Sequence, residues 1–499
     1  MKGFYGLFGI VLLGFFVSCG ANGSPRDKHG QTLDSDFFSS SIQGDLTISA
    51  YDSMAYRPLL EEAARLFEAL HPQVRVHIDT FSAMPEVRRA EQGNMQVMQV
   101  QGQNDPQARE DYLSRVNTSL MGGAGADIYA MDVLPLHNFV GRGVFENLDL
   151  YMAQDPAFDR ASYRANILDA LSFRGGTWFL PLDYSFTYFS YDTTLIGPQE
   201  DLLFGPTEAY STEALLSIGM SIRENDFRIF NAVDHARGGG GMFNLLYNEQ
   251  IYRFLDLDQR QAHFTDGRFS SLLESVRALG DQGLIPQASG TQAAAGQMMQ
   301  MEGASNLDRF YFKPQGSVNL LSQFTRGMGP LLAMSTGGSA RAIEGDDEIA
   351  GIHALADGRV PFTFNQAFGI SSQSQNKRAA WEFIKFLLSL DMQLSTNIMN
   401  MGLPIHNEAR QEKALLDMTT VFSFAQGDLS PLNPQQVEAL EAYRRAVEIL
   451  SDQINTFVIQ DSQVNTMVAQ EVQQFFGGLR SAEEAARILQ NRVGLILSE

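Results

Sequence analysis

The sequence predicts an α/β protein folded as two lobes, and three observations carry that expectation: a length of 499 residues, an ordinary globular composition, and repeated strand, helix, strand patterning. One hydrophobic core seldom organises more than about 250 to 300 residues, so a chain of this size divides. Hydrophobic residues make up 44% and charged residues 19%, the balance of a folding chain and not of a disordered one. The formal net charge of -22 repels polyanions at long range and argues against nucleic acid as a partner.

Residues 1–19 read as an export signal. Met1-Lys2 precedes an apolar run from Phe4 to Val17, which ends in Ser18-Cys19-Gly20; a basic start, a short apolar segment and small residues describe a targeting peptide. Cys19 is the only cysteine, which excludes an intrachain disulfide and a multi-cysteine metal site. Its surroundings resemble a lipobox, with Phe16 where leucine is usual. The resemblance implies cleavage before Cys19 and a diacylglycerol on its sulfur. Residues 20–44 are rich in Ser, Gly, Asp and Gln and suit a flexible tether. No later run reaches the ~18 apolar residues of a membrane helix, so attachment would rest on the lipid.

Folding is expected to begin near Asp45. Leu46-Thr-Ile-Ser-Ala50 reads as a strand, and Leu59, Leu60, Ala63, Leu66, Phe67 and Leu70 then fall at helical spacing, with Pro72 just past the end. Val74-Arg-Val-His-Ile78 alternates as a second strand, completing a βαβ unit and pointing to a parallel sheet with covering helices. A helix over Tyr112–Met121, the glycine-rich turn 122–125 and the strand Asp127–Met131 repeat the unit. A third extended run covers Trp178–Tyr191, an apolar-faced helix covers Ala379–Leu390, and helical patterns dominate from Pro434 onward. Met84–Ala108 and Ala288–Ser305, rich in Gln, Met, Ala and Gly, read as inserted helices or mobile surface segments.

A carboxylate pair for glycoside hydrolysis stays open, since its separation is a fact of the fold, but the enzymatic motifs with a fixed spacing are missing from the sequence. It has no G-x-S-x-G elbow, the nearest run being Thr336-Gly-Gly-Ser339-Ala340, and no H-x-x-x-H pair on a helix. Gly238-Gly-Gly-Gly241 is not followed by the lysine and hydroxyl of a phosphate-binding loop; it suits a close backbone approach. Polar and aromatic residues gather instead at strand ends: Tyr51-Asp52-Ser53, Asp132, and the run Asp183-Tyr184-Ser185-Phe186-Thr187-Tyr188. Ligands of parallel α/β sheets bind beyond the carboxyl ends of strands. Carboxylates and amides pair with sugar hydroxyls while an aromatic face covers the ring's C–H side. Each position has a plainer reading: Asp52 and Asp132 as helix caps, Tyr184, Phe186 and Tyr188 as one core face of a strand, and Trp381 as packing.

The ordered run Leu46–Asp52, Phe67–Pro72 with Val74–Val76, Gly125–Asp132, Gly143–Leu148, Gly176–Leu182, Ser190–Asp192, Gly327–Ser339, Phe368–Ser372, Asn376–Leu388 and Gly402–Pro404 resembles the extracellular solute-binding proteins of family 1, the maltose-binding-protein type. The resemblance implies a two-lobe periplasmic-binding-protein-like fold (type II), with discontinuous lobes over 45–183 plus 368–403 and over 188–360 plus 404–499. Hinge crossings would lie near Pro181–Tyr191, Pro361–Phe368 and Gly402–His406. It also implies a monomeric, cofactor-free ABC-importer subunit, lipid-anchored to the cell membrane and facing the periplasm or exterior, which delivers a sugar to permease subunits. Its ligand residues would be Tyr51, Asp52, Ser53, Asp132, Tyr184, Phe186, Tyr188, Gly338, Ser339, Phe364, Asn365 and Gln366. Tryptophan is absent from the first strand and after Ala130, which weighs against a large oligosaccharide. A peptide, polyamine or metal complex is the alternative solute, and an anchored hydrolase the alternative class.

Overall fold

The computed structural model describes residues 33–34, 36–51, 56–81, 86–92, 95–101, 106–192, 209–211, 228–230, 243, 246–247, 250–257, 259–281, 310–316, 347–355, 357–394, 402–412, 434–458 and 461–498. The first βαβ unit forms as its pattern requires. Strand β1 (Gly44–Tyr51) is buried along most of its length, helix α1 (Tyr56–Leu70) buries Leu59, Leu60, Ala63 and Phe67, and β2 (Val74–Phe81) pairs parallel to β1. The repeat follows with α2 (Pro106–Met121) and β5 (Ile128–Ala130), again parallel to β1. Strand β6 (Leu180–Pro181) and the later β16 (Ala367–Ile370) complete a five-stranded sheet in the order β2-β1-β5-β16-β6, where β16 runs antiparallel to both neighbours.

Met84–Ala108 differs from its expected form. Strands β3 (Glu86–Gln92) and β4 (Met95–Gln101) pair antiparallel from Glu86↔Gln101 to Gln92↔Met95, and α2 already starts at Pro106. Gly93-Asn94 between the strands is a two-residue hairpin signal, outweighed in the sequence by the Gln and Met content around it. Ala288–Ser305 lies outside the described residues.

The chain packs onto the body before Asp45. Leu33, Phe37, Phe38 and Ile42 join the first core; the Phe37 ring meets Tyr151 edge-on at 5.5 Å, and Arg378 donates to the carbonyls of Phe37 (3.0 Å) and Phe38 (3.2 Å). Two aromatic residues inside a polar stretch thus bring the packed chain back to Leu33, about a dozen positions before Asp45. Truncating Phe37 to alanine is expected to cost about 1 to 2 kcal/mol, read as a lower urea midpoint.

The second sheet, in the order β10-β13-β8-β14-β9, is centred on β8 (Thr187–Asp192). Strand β8 runs antiparallel to β13 (Phe310–Gly316) and β14 (Asp347–His353); β9 (Ala209–Tyr210) and β10 (Arg228–Phe230) flank them in parallel. A second buried cluster gathers the β11–β12 hairpin (Leu255–Asp256, Gln261–Ala262), α6 (Arg268–Asp281), α10 (Ser462–Phe476) and α11 (Ala482–Ser498). Helix α9 (Pro434–Gln453) sends Val447 and Leu450 into the first cluster, and Asn166 Nδ2 donates to the carbonyls of Ser451 (2.9 Å) and Ile454 (2.7 Å) at its end. The C-terminal third therefore contributes to both cores.

On the outer face of the first sheet, α7 (Lys377–Leu387) buries Ala380, Trp381, Phe383, Ile384 and Leu387. Trp381 is fully buried against Tyr151 and Phe158 and donates Nε1 to Asp155 Oδ2 at 2.7 Å, so it serves packing. Among the described residues no helix is long and apolar enough to cross a membrane.

Candidate functional site

Strand register places the candidate residues on one sheet edge. Ile48 is opposite Ile128, Ala130 is opposite Phe368, and Ala367 is opposite Pro181, so Tyr51, Met131, Ala367 and Pro181 form one row across four strands. The Met131 amide donates to Ala367 O at 3.0 Å, closing the row. One residue further along each strand stand Asp132, Gln366 and Leu182, and the Leu182 amide donates to Gln366 O at 2.8 Å. Parallel strands β1, β5 and β6 all end here, which is where an α/β sheet takes its ligand.

The same edge is where the chain leaves the first sheet. The extended run Trp178–Tyr191 is not one strand: β6 ends at Pro181, β7 (Asp183–Tyr184) pairs with β17 (Leu403–Pro404), and β8 begins the second sheet. Ser185 and Thr363 exchange backbone bonds of 2.8 Å in both directions, with their hydroxyls 3.1 Å apart. Three segments, 182–186, 363–366 and 402–405, thus run side by side between the sheets.

Asp183 ties them together. Its fully buried carboxylate accepts from the Asn365 amide at 2.8 Å, the Gln366 amide at 3.1 Å and Asn365 Nδ2 at 3.2 Å. Gly402 lies against the same knot: a Cβ there would sit 2.6 Å from Tyr184 O and 3.0 Å from Asp183 Oδ2. Only a residue without a side chain lets the third crossing come this close. Below the knot, buried Arg410 ion-pairs Glu448 of α9, and Arg164 reaches Asp452 at 2.9 Å. Burial opposes the charge on Arg410, but the Tyr184 hydroxyl and the Glu448 carboxylate outweigh it and hold its pKa above the ordinary value.

The sequence-derived candidates divide by environment. Tyr51 is buried, its ring 6.4 Å from Phe81 and 5.7 Å from Tyr112, and Tyr184 and Phe186 are buried and stacked at 6.3 Å. In this conformation those rings pack the sheet edge and the first crossing. Asp132 is half-buried, and the N-cap position of the following helix α3 (Leu136–Gly141) is held by Pro135, without a side-chain bond of its own. Burial raises the pKa of the Tyr112 hydroxyl, its hydrogen bond with the Ser49 hydroxyl opposes the shift, and the Asp132 charge adds to it. Phe364 stacks on Phe457 at 5.3 Å and meets Phe179 at 5.0 Å; Asn365 and Gln366 bind Asp183 as above. Tyr188 lies in β8 opposite Gln315 and Ile352. Cys19, Asp52, Ser53, Gly338 and Ser339, with the glycine run 238–241, lie outside the described residues.

Two five-stranded sheets joined by three crossing segments match solved structures over nearly the whole chain. An extracellular solute-binding protein family 1 from Alicyclobacillus acidocaldarius superimposes with a TM-score of 0.56 at 13% identity, covering 92% of this chain and all (100%) of its own. The chain has the fold of the extracellular solute-binding proteins. The sugar-binding protein MalE from Xanthomonas citri aligns with a TM-score of 0.55 at 16% identity over 91% of this chain and 98% of its own. A putative oligosaccharide periplasmic-binding protein from Synechococcus gives 0.52 at 14% identity over 91% and 99%. No protein-family model matches the chain, and no curated protein matches it.

The three crossings join the two sheets, and a small set of buried groups fixes their geometry. Sequence reasoning named Asp183 within the polar run and Gly402 at the third crossing without giving either a role of its own, and it passed over Arg410 and Glu448. Asp183 is one acidic residue inside an apolar run, and that burial of a carboxylate between Leu182 and Tyr184 was the available signal. Nothing local marks Arg410 or Glu448, 38 positions apart and joined only by the fold.

Proposed function

We propose that this chain is the capture subunit of an ABC importer, binding a sugar or oligosaccharide between its lobes and delivering it to membrane permease subunits without chemical change. The observation that carries the reading is the convergence of three strand ends and three hinge segments on one edge, with Asp132 half-buried there. A ligand bridging both lobes stabilises the state in which it makes the better contacts, and so shifts the hinge equilibrium. The sugar-binding and oligosaccharide-binding descriptions of the structural neighbours from Xanthomonas citri and Synechococcus support the solute class.

Asp132 is assigned to ligand hydroxyls, and Asp52 and Ser53, which follow Tyr51 directly, to the same edge. Tyr188, Gly338, Ser339 and the 364–366 segment are assigned to the facing side of the cleft, with Phe364 supplying an aromatic face. Tyr51, Tyr184 and Phe186 are assigned to the walls beneath. The lobes are assigned the spans 45–183 plus 368–403 and 188–360 plus 404–499, with the N-terminal strap from Leu33 added to the first and α9 packing Val447 and Leu450 against the first core. The working form is an exported monomer, cleaved before Cys19 and held to the membrane by a lipid on that residue.

A thermal-shift screen tests the reading, using mono- and oligosaccharides with peptides, polyamines and metal salts as competitors. A ligand at 100 times its Kd adds about 2.7 kcal/mol to stability, so the expected result is a clear rise in Tm with one sugar class. A rise only with peptides, polyamines or metals keeps the binding-protein fold and overturns the sugar. Asp132→Ala is expected to weaken the responding sugar by about tenfold, the value of one charge-assisted hydrogen bond.

A further inference from the structure

Arg174 and Arg260 are the non-glycine residues with left-handed backbones among those described, at φ 47° and 54°. L side chains avoid this region, and its occupation marks a site the surrounding structure enforces. Both residues sit at turn tips. Arg174 lies in the turn closed by mutual backbone bonds between Phe173 and Gly176 (3.0 and 3.2 Å), and Arg260 lies between β11 and β12.

The two turns belong to different bodies. Phe173 packs on the first hydrophobic cluster and Leu257 on the second, yet Arg174 Nη2 donates to Leu257 O at 2.6 Å. Both arginines also reach the end of α3: a Cβ on Gly141 would lie 2.5 Å from Arg174 Nη1 and 3.5 Å from Arg260 Nη2. The glycine leaves the space that the guanidinium fills. Another bond between the bodies, Val458 N to Phe362 O at 3.0 Å, is made by paired backbone of the short strands 361–362 and 456–457. The Arg174 contact is made by side chain alone and breaks without unravelling a strand.

We propose that Arg174 is an inter-lobe latch: its guanidinium, seated over Gly141, holds the β11–β12 hairpin of the second body against the first lobe and releases it when the lobes move. The proposal deepens the capture-subunit reading, since it names a contact that sets the balance between lobe positions. A charged donor on a neutral carbonyl suits the task, being stronger than a neutral hydrogen bond but lacking the desolvation cost of a buried ion pair.

The test measures lobe distance without any ligand. Dyes are placed on cysteines introduced at Leu70 and Leu479, both exposed and on different bodies, in the full chain carrying Cys19→Ser. Single-molecule energy transfer is then compared between the parent and Arg174→Gly. Glycine accepts the left-handed backbone, so the turn keeps its shape and Tm is expected to hold. The released population should rise about tenfold. Gly141→Ala, which pushes the guanidinium from its seat and leaves its charge, should move the distribution the same way. Unchanged distributions in both variants overturn the latch. Because no solute is present, failure to find a sugar ligand leaves this result standing, and a failed latch leaves the thermal-shift outcome untouched.

Discussion

Replacing Asp155 with alanine is expected to cost about 3 to 5 kcal/mol of folding stability, the loss typical of a buried ion pair stripped of one partner. The carboxylate follows α4 (Leu148–Gln154), is 6% exposed, and receives three donors: Trp381 Nε1 at 2.7 Å, Lys385 Nζ at 2.5 Å and the Ala157 amide at 2.9 Å. Removing it leaves an indole N–H and an ammonium facing a cavity between α7 and α4. Glu382, 2.9 Å from the same ammonium, retains part of the charge balance and places the expected loss toward the lower end. Asp155→Asn keeps an acceptor for Trp381 and loses the charge, so its loss should be about half. Urea unfolding reads both, with the midpoint falling and the slope unchanged.

The same group gives the first core a defined acid sensitivity. Burial alone would raise the Asp155 pKa; the hydrogen bonds from Lys385 and Trp381 outweigh it and hold the carboxyl below its ordinary value. A carboxyl depressed in the folded state contributes stability that is complete above its unfolded pKa of about 3.9 and is lost as pH falls through the folded value. The stability gap between the parent and Asp155→Ala should therefore be constant from about pH 5 upward and narrow below about pH 4. A gap that stays constant down to pH 2 would assign the effect to packing and not to charge.

The elements that the sequence shows plainly are those whose apolar spacing is decided locally. Leu59, Leu60, Ala63 and Phe67 announce α1, and the buried run Leu46–Tyr51 announces a parallel strand, because a period of 3.6 or of 2 is fixed by the element itself. Trp178–Tyr191 failed for the opposite reason. Its strand-like residues are shared among two sheets and a hinge, and the partners that cut it, Thr363 and Leu403, are about 180 and 220 positions away. The candidate site was legible as a sheet edge, since strand ends at Tyr51 and Asp132 can be read from the pattern. Which aromatics face a ligand was not, for alternation of Tyr184 and Phe186 says that they share a side and not what that side meets. The strap at Phe37 and Phe38 was hidden by polar neighbours that dominate any window average.

Gly402→Ala should damage both stability and binding, and its effect depends on Asp183. The new methyl would meet the Tyr184 carbonyl at 2.6 Å, a backbone atom held by the β7–β17 pairing, and Asp183 Oδ2 at 3.0 Å. A carbonyl in a paired strand cannot rotate away as a side chain can, so the third crossing must shift; overpacking of this kind costs about 1 to 3 kcal/mol. Asp183→Ala acts on the same knot from the other side, removing this acceptor from the buried Gln366 amide and from the part-buried amide and side chain of Asn365. A buried donor left unsatisfied costs about 1 to 3 kcal/mol and a part-buried one less, so about 2 to 4 kcal/mol is expected in sum. The two changes share atoms and should not add. Alanine at 183 removes the carboxylate that crowds the new methyl but not the Tyr184 carbonyl, so the double variant should lose less than the two singles together and more than either alone. Full additivity in urea unfolding would mean that the crossings respond independently and that no single knot governs the hinge. Sub-additivity, accompanied by weaker binding of whichever solute raises Tm in the parent, would identify Asp183 and Gly402 as one mechanical unit through which the two lobes are joined.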